Sequence, residues 1–114
     1  MALAKPGARA ESVAASYLQQ HGLKLVESNY RSRFGEIDLI LRDGETLVFA
    51  EVRQRSSNNF GGAAASIDAR KQQRLILTAQ HYLASLPRIP PCRFDALLLD
   101  AAENIEWVKN AFEV

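Results

Sequence analysis

Residues 35–55 read GEIDLILRDGETLVFAEVRQR. Two strand-like runs, Glu36 to Arg42 and Thr46 to Arg53, alternate in the manner of strands whose side chains point to opposite faces. Between them lies Asp43-Gly44-Glu45-Thr46. A two-residue loop at Gly44-Glu45, with glycine supplying the positive φ such loops demand, makes a β-hairpin. That loop fixes the register. Leu41 then faces Val48, Leu39 faces Ala50 and Ile37 faces Val52, an apolar face that belongs to the core. The other face pairs Ile40 with Phe49, Asp38 with Glu51 and Glu36 with Arg53. Glu36 opposite Arg53 is an ordinary cross-strand ion pair. Asp38 opposite Glu51 sets like charges against each other, which costs roughly a few tenths to 1 kcal/mol at a wet surface. A hard divalent cation reverses that penalty, because Mg²⁺ favours one or two carboxylates and keeps its remaining waters. A turn one residue longer would undo the pairing, and solvent-facing carboxylates on an edge hairpin are common.

The segments on either side supply the rest of an α/β fold. Ala10, Val13, Ala14, Tyr17 and Leu18 recur at helical spacing within residues 8–21, and Gly22 is a stop signal. LKLVESNYR (23–31) reads as a strand. RSSNNFGGAAA (55–65) is polar and then Gly- and Ala-rich, the composition of a mobile loop. Residues 67–86 carry the longest helical pattern, with Leu75, Ala79, Tyr82, Leu83 and Leu86 on one stripe; Pro87, Pro90 and Pro91 end it. RFDALLLD (93–100) is nearly continuous in apolar residues, as in a strand covered on both faces. NIEWVK (104–109) alternates as a last strand. The order α-β-β-β-α-β-β predicts a mixed sheet flanked by helices in a single domain spanning 1–114. The second helix is a crossover, which makes the third and fourth strands parallel.

Composition narrows the class. The chain has 114 residues, 47% hydrophobic and 24% charged, with a net charge of +1, which fits a globular domain. Overall charge does not argue for nucleic acid, although residues 1–85 carry eleven Lys and Arg against eight Asp and Glu. Cys92 stands alone, so no intrachain disulfide is available and a reducing cytoplasm is expected. The start, MALAKPGARAE, lacks the apolar core of a signal peptide. No run approaches the ~20 apolar residues of a membrane helix. His21 and His81 have no zinc-ligand spacing.

The stretch KPGARAESVAASYLQQHGLKLVESNYRSRFGEIDLILRDGETLVFAEVRQR (5–55) resembles the bacterial YraN-like family. That family is similar to archaeal Holliday junction resolvases within the PD-(D/E)xK nuclease superfamily. GEIDLI followed by VFAEVR is its most specific part, and the likeness runs on to RFDALLLD. The resemblance implies a restriction-endonuclease-like αβββαβ core and Mg²⁺-dependent (or Mn²⁺-dependent) cleavage of phosphodiesters in branched or structured DNA by a homodimer. It places the metal-binding Asp on Asp38, the (D/E)xK acid on Glu51, the superfamily Lys on Arg53 and the first-helix acid on Glu11. Arg53 is a departure. Arginine stays charged and offers a planar fork for phosphate, whereas a buried lysine can lose its proton.

Further residues suit a nucleic-acid surface. Lys71 opens the buried stripe of the second helix, where its ammonium can reach the acids or a phosphate. Arg70 and Arg74 flank it, and Arg33 and Arg55 lie at element ends with Arg31, Lys5 and Arg9. Each is equally an ordinary surface charge. Phe60 is a candidate base-stacking residue or an incidental loop aromatic. Tyr30 and Phe34 read as packing residues and Trp107 as a core or edge anchor. Three functions compete: a metal-dependent endonuclease, a non-catalytic nucleic-acid-binding module with a degenerate nuclease site, and an interaction domain that adds a strand at a sheet edge.

Overall fold

The computed structural model describes residues 8–54 and 67–112. The loop expected over residues 55–65 therefore lies outside the described residues, with Arg55 and Phe60, as does Lys5. Among the described residues, the chain runs α1 (Ala8–Gln20), β1 (Lys24–Ser32), β2 (Gly35–Asp43), β3 (Thr46–Gln54), α2 (Ala69–Leu83), β4 (Cys92–Leu99) and β5 (Ile105–Phe112). The strands form one mixed sheet in the order β1-β2-β3-β4-β5. β3 and β4 are parallel, as the crossover helix requires, and the other neighbours are antiparallel. The expected αβββαβ order is present, with β5 added at one edge.

Helix α1 buries Ala10, Ala14, Ala15 and Leu18 against Leu39, Leu41, Val48, Ala50, Leu97 and Leu99 on one face of the sheet. Its end is a Schellman motif: Gly22 at φ +96°, its N–H donating to the Gln19 carbonyl and that of Leu23 to the Leu18 carbonyl. Helix α2 covers the opposite face with Leu75 and Ala79, over Ile40, Leu47, Phe49, Phe94, Ala96 and Leu98. β4, between β3 and β5, feeds both cores, which explains its nearly unbroken apolar run.

The hairpin has the expected register. Leu39 pairs with Ala50, Ile40 with Phe49 and Leu41 with Val48, and Gly44 takes φ +61° in the turn. One expectation is corrected. Ile37 does not continue the face of Leu39 and Leu41; it lies with Ile40 in the core beneath α2. Alternation is interrupted between residues 37 and 39. Opposite it on β1, Ser28 pairs with Leu39 and Tyr30 with Ile37, and Asn29 between them takes φ +56°. Such interruptions re-aim side chains. Here the re-aimed residue of β2 is Asp38.

Candidate active site

The direct β2–β3 ladder runs from Asp43–Thr46 to Leu39–Ala50. Past that point the backbone N–H of Val52 donates to Asp38 Oδ2 at 2.8 Å. The aspartate thus bridges the two strands and its carboxylate is fixed in orientation. Glu51, one residue earlier on β3, is 5% exposed. Its carboxyl stands close to that of Asp38. Burial and the neighbouring Asp38 carboxylate push Glu51 up to about 7, against the lowering effect of Lys71. The Asp38 charge thus acts on Glu51 beyond the last direct ladder pair, Leu39–Ala50.

Two cations face the pair. Lys71 Nζ lies 3.0 Å from Glu51 Oε2. Arg53 Nε lies 3.5 Å from the same oxygen and, although buried, has no hydrogen-bond partner among the described residues. Lys71 is held in place from behind. It occupies the first turn of α2, where Asp68 caps the helix by accepting from the Lys71 N–H at 2.8 Å. Glu36 accepts from Arg31 at 2.7 Å, and Arg53 Nε lies 3.5 Å from Glu51. The direct ladder ends at Leu39, three residues from Glu36, so strand alternation no longer determines the partners.

The other candidate residues are more dispersed. Glu11 borders a groove on the α1 side of the sheet with Ser28, Asn29 and Leu39. Among the described residues, no three of His, Cys, Asp and Glu gather into a group able to hold a metal ion, so Glu11 does not join Asp38 and Glu51 in one. Arg70 and Arg74 are exposed on α2. Arg74 approaches the β1–β2 turn, where its Cβ is 3.8 Å from where a Cβ on Gly35 would stand. Arg33, at that turn, lies over the Phe34 ring at 4.9 Å. Arg9 is bound to Glu103 at 2.8 Å, so it is not an unengaged part of a basic rim. His81 contacts the Tyr30 hydroxyl, and His21 the Tyr17 carbonyl, both in local packing.

Asp95 is the residue that sequence reasoning passed over. It is 1% exposed and sits at the irregularity of the β4–β5 ladder. It accepts from Arg93 Nε at 3.0 Å, Trp107 Nε1 at 3.0 Å and the Asn110 N–H at 2.9 Å. Arg93 continues to Asp43 at 2.9 Å. The available signal was an acid inside an otherwise apolar run, since a buried carboxylate must be matched by donors.

Comparison with known proteins places the chain among its relatives. The model of the uncharacterised protein family UPF0102 matches residues 10–99. The chain belongs to the uncharacterised protein family UPF0102. A UPF0102 protein of Nitrosomonas europaea is 62% identical over 109 residues, covering 94% of this chain and 92% of its own. One from Nitrosospira multiformis is 55% identical over 116 residues, covering 100% and 98%. One from Cupriavidus metallidurans is 54% identical over 111 residues, covering 96% and 82%. The matched span of this UPF0102 chain takes in α1 from Ala10 onward, the hairpin with Asp38 and Glu51, α2 with Lys71 and all of β4. Among the described residues, no helix is long and apolar enough to cross a membrane.

Proposed function

We propose that this UPF0102 protein is an Mg²⁺-dependent endonuclease, with Mn²⁺ as a substitute, that hydrolyses phosphodiesters in branched or structured DNA. It would work as a cytoplasmic homodimer in the manner of Holliday junction resolvases. The observation that carries this reading is the contact between Asp38 and the buried Glu51. Burying two neighbouring acids is costly unless protons or cations compensate; Lys71 and Arg53 stand beside Glu51, and its pKa is still raised. The donor set fits a hard cation: two carboxylates, one fixed by a backbone N–H, at a splayed strand end.

A divalent ion bound there supplies Lewis acidity toward the phosphodiester and lowers the pKa of water. The chain's own residues do the rest. Asp38 and Glu51 hold the ion. Arg53, permanently charged beside Glu51, stabilises negative charge that develops on the phosphate oxygens. Lys71 contacts a phosphate, and Arg70, Arg74, Arg33 and Arg55 hold the DNA backbone without reading its sequence. Glu11 is assigned a hydrogen bond to water on the α1 side.

The second reading, a binding module without turnover, is favoured by one observation. Arg53 stands where the resembled superfamily carries Lys, and it cannot supply a neutral amine. Nicking of supercoiled plasmid and of four-way junction DNA in Mg²⁺ or Mn²⁺ separates the two. Cleavage is expected, with Asp38→Asn and Glu51→Gln each lowering it at least about 100-fold. Activity untouched by Glu51→Gln removes the catalytic assignment. Junction binding without any cleavage supports the module. Arg53→Lys adds direction: a gain means the native site is a disabled form, and a loss means arginine is the working residue.

A further inference from the structure

Glu51 has a tethered cation of its own. Lys71 reaches it from another element, its Nζ at hydrogen-bond distance from Oε2 and its side chain one-third exposed at the rim. Its backbone is fixed by the Asp68 cap, so only the four-carbon stem needs to move for the ammonium to leave. Arg53 stands farther off, rises from the strand itself and makes no hydrogen bond through Nε among the described residues.

We propose that Lys71 is an exchangeable counter-ion for Glu51: it occupies the carboxylate in the metal-free protein and must withdraw when a divalent cation binds Asp38 and Glu51. This rests on the nuclease reading of the site. Two carboxylates face two monovalent cations, so the ionised cluster is balanced without metal. A dication adds two positive charges beside an ammonium, and their repulsion opposes loading until Lys71 moves off. The withdrawn ammonium and the surplus charge then favour a phosphate. Metal and DNA thereby strengthen each other's binding, with Lys71 as the group that couples them.

Mn²⁺ binding at pH 7.5, followed by electron paramagnetic resonance of the free ion, tests this without any cleavage assay. Lys71→Met is expected to tighten Mn²⁺ binding about tenfold, and Arg53→Met less than about threefold. Lys71→Gln is the second variant should Lys71→Met compromise folding. Wild-type binding that Lys71→Met leaves unchanged or weakens overturns the exchange while leaving the metal site intact. Equal tightening by both substitutions overturns the special role of Lys71. Absence of Mn²⁺ binding in wild type and in both Lys71 variants overturns the metal site and the exchange together.

Discussion

In metal-free buffer at pH 8, Glu51→Gln is expected to unfold at a higher temperature than the wild type. The effect arises because the wild-type site is organised around a charge it accommodates poorly. Glu51 is buried and close to Asp38, so its protonated form is favoured in the folded protein and its pKa rises to about 7. In the unfolded chain the group titrates near its ordinary value of 4.5. A raised folded-state pKa means that the folded protein binds more protons than the unfolded one between those two values. Its contribution to stability is fully present below about pH 4.5 and is lost as pH rises through 7. The loss amounts to roughly 3 kcal/mol. Glutamine resembles the protonated acid and does not titrate. Glu51→Gln should therefore recover ~1–3 kcal/mol at pH 8 and remove most of the decline between pH 5 and pH 8. For a chain of this size that is a rise of roughly 4–10 °C in Tm. Stabilisation by removal of a buried acid is the mark of a group retained for chemistry and not for folding. A wild type that gains stability from pH 5 to pH 8, or a Glu51→Gln variant less stable than wild type at pH 8, contradicts this account.

Asp95→Ala should do the opposite, with a loss of about 3–5 kcal/mol. The substitution strips three donors of their acceptor at once: the Arg93 guanidinium, the Trp107 indole and the Asn110 N–H. Leaving a buried donor or charge unpaired costs more than the pair contributes when intact. β5 has only β4 as a neighbour, so the damage should concentrate there. Denaturant unfolding gives the magnitude, and Trp107 fluorescence reports on β5 directly. Asp95→Asn, which keeps an acceptor and loses the charge, should cost less. A stability change below about 1 kcal/mol for Asp95→Ala would show that the network is dispensable. The contrast between the two acids is useful. Both are buried, but Asp95 is surrounded by donors and Glu51 faces another acid.

Much of this was legible in the hairpin alone. The Asp43-Gly44-Glu45-Thr46 turn fixed the pairing of Leu39 to Leu41 with Val48 to Ala50, whereas Asp38 and Glu51 lie beyond that ladder. Helix α1 and its stop at Gly22 followed from apolar spacing and a glycine able to adopt positive φ. What was not legible depends on breaks in periodicity. Ile37 changes cores because β2 departs from alternation near Asp38, and no residue type there announces it. Arg53 turns to Glu51 for the same reason. Lys71 was visible as the start of a buried stripe, but its distance from Glu51 depends on how α2 sits over the sheet. Asp95 looked like one acid in an apolar strand, because its donors come from three separate residues.

The central claim is that Asp38 and Glu51 hold one divalent cation between them. Anomalous diffraction from crystals grown with Mn²⁺ tests it most directly. The account predicts a single strong peak within about 2.3 Å of a carboxylate oxygen from each residue, with Lys71 withdrawn from Glu51. A map without a peak at the pair under saturating Mn²⁺ would contradict it.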